Sequence, residues 1–267
     1  MTPCNTNGTV LIHTPYSMDD NSLNLMVIKI LTKVESQLGL GYTLPSEEFY
    51  QGTTTANKLG TNVKLRSNFR PNKPLAVICN TIHSSRAAYE MGHWVAIISH
   101  YIPQQKIITV RYFDSFAGGV NKYKFIKTYV NSIRDQCQKW NIRFKLDSMD
   151  KPLQYFKSAV CGIYAAYCII KAYEGKNKST LNKIFSTFTS NRIKNDLRVS
   201  KYLVDNYPAP FCHDNPIYNK MKATLKELKM HKIPPPFCPR KTLGLKTCLS
   251  KCKCQKCCAT KKLYKRQ

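Results

Sequence analysis

Leu23, Val27, Ile30, Leu31, Val34 and Leu38 recur at helical spacing, behind Asp19, Asp20, Asn21 and Ser22 and ahead of Gly39. Apolar positions three and four residues apart form one stripe, so residues 19–39 predict an amphipathic helix with capping side chains at its start and a glycine stop. From 41 to 72 Thr, Asn and Gly are frequent and no period holds, which predicts loops and short strands. LAVIC at 75–79, WVAIISHYI at 94–102 and IITVRYF at 107–113 read as strands, with Pro103, Gln104 and Gln105 turning the chain between the last two.

Ile126, Tyr129, Val130, Ile133, Cys137 and Trp140 then mark a helix, and Ile142, Phe144 and Leu146 alternate as a strand. SAVCGIYAAYCIIKAY, residues 158–173, is apolar nearly all round and lacks proline; a helix of that kind belongs inside a core. Further helices are expected within 180–206. The apolar runs are broken well short of the roughly 20 residues a bilayer crossing needs, and the first residues lack a signal-peptide layout, so an intracellular chain that does not enter a membrane is expected.

Composition changes the picture in two ways. In a chain of 267 residues, 42 Lys and Arg against 15 Asp and Glu leave a formal charge of +27, more than solubility requires, and point to a polyanionic partner, nucleic acid first. The twelve cysteines, without an export signal, read as thiols, metal ligands or catalytic groups rather than disulfides. Beyond Tyr218 fifteen Lys or Arg face a single acid, Glu227, with Pro234, Pro235 and Pro236 as a stiff spacer. The chain therefore divides into a core domain, 1–217, and a basic, Cys-rich tail, 218–267.

A catalytic arrangement can be read from the hairpin. A turn centred between Pro103 and Gln104 gives paired positions an index sum of 207, which His93 and Asp114 satisfy, so an imidazole and a carboxylate arrive at the same end of two strands. A carboxylate behind an imidazole fixes its tautomer and stabilises its protonated form, as a general base requires. Cys161 falls at the start of the apolar helix, where unpaired amides and the helix dipole favour a thiolate. Gly162 removes a side chain that would obstruct a substrate. Gln154, on an expected loop, can offer its NH₂ to an oxyanion alongside the Cys161 backbone N–H. Cys168, by contrast, reads as a small core residue, and His13, His83, His100, His213 and His231 have no comparable setting.

With these residues in view, the stretch 73–173 resembles the adenovirus endopeptidases, or adenains, and more distantly the ubiquitin-like-protein proteases. The shared order is His, acid, Gln, Cys, carried here by Asn80-Thr81, Gly92-His93-Trp94, Tyr112 to Phe116, Gln154 and Cys161-Gly162. The acid is Asp where adenain has Glu, and the interval from His93 to Asp114 is a few residues longer. The resemblance implies an α+β cysteine-protease fold, a mixed sheet packed between helices with the nucleophile at the head of a buried central helix. It also implies a monomeric endopeptidase that cleaves viral capsid and core precursors, in the virion and the host nucleus, with DNA and a basic Cys-containing peptide as activators and no cofactor for the chemistry itself.

The tail, with Cys248, Cys252, Cys254, Cys257 and Cys258, admits three readings: a soft-metal site without clean CxxC pairs, a nucleic-acid arm, or an activating segment supplied in cis. Two rival functions stand beside the endopeptidase, a ubiquitin- or SUMO-type deconjugating protease and a non-enzymatic, basic nucleic-acid-binding structural protein.

Overall fold

The computed structural model describes residues 20–39, 44–85, 92–156, 158–175, 179–206, 222–223 and 225–226. The expected first helix forms α1 (Asp20–Leu38), with Leu23, Met26, Val27, Ile30 and Leu31 buried. It ends at Gly39, whose φ of +74° is the left-handed conformation that glycine adopts without a Cβ penalty. Two single-turn helices, α2 (Ser46–Phe49) and α3 (Leu59–Asn62), flank β1 (Tyr50–Thr55). The strand was hidden in the Thr-rich stretch because its register slips between Tyr50 and Thr53, at Gly52 with φ +90°, and a slipped strand shows no clean alternation.

The remaining strands are β2 (Leu75–Asn80), β3 (Trp94–Ile102), β4 (Ile107–Phe113) and β5 (Arg143–Ser148), in spatial order β1-β2-β3-β4-β5. The outer pairs are parallel and the inner pairs antiparallel, so the sheet is mixed. Helix α4 (Lys124–Lys139) joins β4 to β5, and α5 (Cys161–Glu174), α6 (Leu181–Ile184) and α7 (Arg192–Asn206) follow.

The strand period of two sorts the core into two layers. Ala76, Ile78, Ala96 and Ile98 face α1, α5 and α7, while Val77, Cys79, Val95, Ile97, Ile108 and Val110 face α4. On α5 every residue from Cys161 to Ile170 is buried, which is what its all-round apolarity requires. The architecture is thus the α+β arrangement expected, with a mixed sheet between helices and Cys161 at the head of the enclosed one.

One register expectation is corrected. Ile97 faces Tyr112 and Ile102 faces Ile107, so paired positions sum to 209, not 207. The turn is centred one residue further along than assumed and holds four residues between Ile102 and Ile107: Pro103–Gln105 form a 3₁₀ turn closed by Lys106 in a left-handed conformation, φ 45°. No described helix is long and apolar enough to cross a membrane. The boundary at 217/218 and the five tail cysteines, Cys248, Cys252, Cys254, Cys257 and Cys258, lie outside the described residues.

Candidate active site

Two strand ends and one helix start build the site. His93 immediately precedes β3, and its backbone is clipped to Thr81: the His93 N–H donates to Thr81 Oγ1 at 3.2 Å and the Thr81 N–H to the His93 carbonyl at 2.8 Å. Gly92 leaves room for Asn80, because a Cβ would lie 1.7 Å from Asn80 Oδ1 and displace that side chain. That same oxygen accepts from the Ile82 N–H, so Asn80 both shapes the turn and presses against the residue before His93.

The slipped register leaves His93 nominally opposite Phe116, and the two rings do meet, with centroids 5.0 Å apart. Asp114 nevertheless reaches the imidazole from its diagonal position: His93 Nε2–H donates to Oδ1 at 2.7 Å. Oδ1 also accepts from the Phe116 N–H at 2.8 Å, which orients the carboxylate. Its other oxygen is pressed against Gly118, where a Cβ would come within 2.4 Å. Tyr123 lies near the same carboxylate and over the imidazole, with ring centroids 6.4 Å apart. Burial, reinforced by the charge of Asp114, pushes the Tyr123 hydroxyl well above its ordinary value, so it stays protonated.

Cys161 is the first residue of α5, where backbone N–H groups have no partner inside the helix. Nε2 is given to Asp114, and Cys161 is close enough to His93 to act on it both as a hydrogen-bond partner and electrostatically. Burial alone would lower the basicity of His93. The hydrogen bond to Asp114 and the proximity of Cys161 outweigh it and raise the imidazole to about 9. Its side chain is 15% exposed against 1% for Asp114, so the ring faces the surface and the carboxylate backs it.

Gln154 is wholly buried and already employed. Its Oε1 accepts from Ser115 Oγ at 2.6 Å and its Nε2 donates to the Ser158 carbonyl at 2.6 Å, bonds that use one of its two amide N–H groups. Gly162 is a correction: it does not open space for a substrate but brings α5 against the core, since a Cβ would lie 3.2 Å from both Leu23 Cδ2 and Trp94 Cδ1. Cys168 is sealed within the core, as expected for a structural thiol.

A second polar group was not foreseen. Asp196 on α7 is fully buried and accepts from the Tyr155 N–H, from Ser158 Oγ at 2.6 Å and from Tyr164 Oη at 2.9 Å. Burial raises it to about 7 against the pull of these three donors. The signal was present, since Asp196 occupies the Ile193, Val199, Leu203 stripe of its helix, where an apolar residue belongs. Among the described residues no cluster of His, Cys, Asp or Glu could hold a metal ion.

No family model matches the sequence, and no curated protein matches it either. Among solved structures, the ASFV pS273R protease is similar at 12% identity over 70% of this chain and 68% of that one, with a TM-score of 0.46. The Chlamydia abortus effector protein ChlaDUB is similar at 12% identity over 78% and 100%, with a TM-score of 0.45. The SUMO protease Ulp1 is similar at 15% over 79% and 78%, at 0.33. Likenesses this distant carry no weight for the chemistry, which rests on the geometry of the site.

Proposed function

We propose that this chain is a cysteine peptidase with Cys161 as nucleophile, His93 as acid and base, and Asp114 orienting the imidazole. The observation that carries this reading is the 2.7 Å bond from His93 Nε2 to Asp114, with Cys161 close enough to the same imidazole to act on it. The Cys161 sulfur attacks a peptide or isopeptide carbonyl, and His93 passes its proton to the leaving amine. Water then attacks the thioester with His93 as base, releasing the acid and restoring the thiol. The Cys161 N–H and the spare N–H of Gln154 hold the oxyanion.

Two substrate classes follow. They are ubiquitin- or SUMO-type conjugates and viral capsid or core precursors. The test is hydrolysis of a fluorogenic peptide ending in diglycine, of ubiquitin and SUMO conjugates, and of precursor peptides with Gly-containing sites, by the wild type and Cys161→Ala. Turnover that depends on Cys161 supports the peptidase, and the preferred substrate separates the two classes. Turnover that survives in Cys161→Ala rejects the assignment.

DNA is proposed as a non-specific partner and activator. The +27 charge supports it, as do the exposed Lys124, Lys127, Arg134 and Lys139 on α4 and Arg143 on β5. Such binding weakens steeply with salt; no binding in low salt contradicts it. The proposed setting is a monomer in the virion and the infected nucleus. A non-enzymatic nucleic-acid-binding protein gives no reason for the arrangement of His93, Asp114 and Gln154, and it predicts that no thiol-directed probe labels Cys161 selectively.

A further inference from the structure

We infer that Asp196, with Asn195 beside it, is a positioning residue that acts from α7 through residues 153–158 to set the Gln154 amide at the head of α5. This inference rests on the peptidase reading. The carboxylate does not touch the reacting atoms; together with Asn195 it grips the segment on both sides of Gln154.

On the near side, Asn195 Nδ2 donates to the Leu153 carbonyl at 3.2 Å and to the Thr189 carbonyl at 2.8 Å, and the Tyr164 hydroxyl lies 3.1 Å from the same Leu153 carbonyl. On the far side, Asp196 takes the Tyr155 N–H at 3.2–3.3 Å and the Ser158 hydroxyl at 2.6 Å. The Ser158 carbonyl is in turn the acceptor for Gln154 Nε2. A continuous path therefore runs from Asp196 through Ser158 and Gln154 to Ser115, the residue after Asp114.

Chemistry explains why the group is an acid. Three donors converge on it, and only an anion accepts all of them without presenting a donor of its own. Burying a carboxylate is costly, and a neutral or apolar residue on this stripe would pack α7 at no such cost. A charged clip is warranted where the geometry of the held segment matters, and the held residue is the one with a spare N–H for an oxyanion.

The test compares wild type, Asp196→Asn, the milder Ser158→Ala, Gln154→Ala and the double variant Asp196→Asn/Gln154→Ala. Hydrolysis of the diglycine fluorogenic peptide is measured together with alkylation of Cys161 by iodoacetamide, a reaction that forms no oxyanion. For Asp196→Asn we expect kcat to fall about 10- to 100-fold, with KM within about twofold and alkylation unchanged. Ser158→Ala shows the same signature, smaller. In the Gln154→Ala background the Asp196 substitution adds less than about twofold, because both act on one group.

An unchanged kcat overturns the inference, as does an equal loss with and without Gln154. Hydrolysis and alkylation falling together also overturn it, by showing a merely structural role. A wild type that hydrolyses nothing removes the peptidase reading and this inference with it, whereas an active wild type with an uncoupled Asp196 removes the inference alone.

Discussion

Cys161 and Cys168 lie seven residues apart on α5 and both are buried, yet only one is set up for chemistry. Around Cys168 burial dominates: it pushes the thiol far above its ordinary range, with Arg111 pulling down and Asp147 pushing up, so the sulfur stays protonated and inert. Cys161 occupies the first turn, where helix amides lack partners and the imidazole of His93 stands alongside. The same side chain in the same helix is a packing group in the middle and a nucleophile at the end. Burial does not separate the two; access to uncommitted N–H groups and to a basic partner does.

The sharpest way to break this contrast is to remove each sulfur in turn. Cys161→Ala should lower turnover by about 10⁴-fold or more, whereas Cys168→Ala should leave it within about twofold and lower stability by roughly 1 kcal/mol. Steady-state kinetics and thermal melts check both; comparable kinetic losses would erase the distinction.

Next comes the partner of the sulfur. Asp114→Asn should reduce kcat by about 10²- to 10⁴-fold, since the amide no longer holds the productive tautomer. It should also move the pH profile. Because folding raises His93 to about 9, the imidazolium is present below that value and is lost as pH rises through it, so activity should decline near pH 9 in the wild type. Without the Asp114 charge the imidazolium is less favoured, and the decline shifts to lower pH. A limb that stays in place in Asp114→Asn would show that the carboxylate does not govern the ring.

A smaller effect is expected from the oxyanion side. Gln154→Ala should cost about 10²- to 10³-fold in kcat, with Cys161 still open to alkylation.

Smallest is the pair of glycines. Gly118→Ala places a methyl group 2.4 Å from Asp114 Oδ2 and 2.8 Å from Lys122 Cδ, so it should displace the carboxylate and lower kcat about tenfold. Gly162→Ala meets Leu23 and Trp94 at 3.2 Å and should mainly cost about 1 kcal/mol of stability. If Gly162→Ala proved the more damaging to kcat, that glycine would be guarding substrate access after all.

What was legible in the sequence follows from which interactions are periodic. The stripe of α1, the runs of β2, β3 and β4 and the apolar helix α5 announce themselves because burial repeats every 3.6 or two residues. β1 does not, because its register slips near Gly52. His93 and Asp114 were paired from an assumed turn centre. The pairing is observed at 2.7 Å although the register is offset, because a side chain reaches diagonally across strand ends where a backbone index argument does not.

Gln154 was placed on a loop ahead of Cys161 by the shared residue order, but its two committed hydrogen bonds depend on Ser115 and Ser158, contacts that no local pattern reports. Asp196 is the instructive omission. A carboxylate on an apolar stripe looks like an error in periodicity until the donors from 155, 158 and 164 are brought to it by the fold.

The central claim, that His93 and Cys161 act as one unit, is tested most directly by the rate at which iodoacetamide alkylates Cys161, followed by peptide mass mapping in the native protein and in His93→Ala. The account predicts alkylation of Cys161 at least about tenfold slower in the variant, with Cys168 unlabelled in both folded proteins. Equal rates at Cys161 with and without His93 would contradict it.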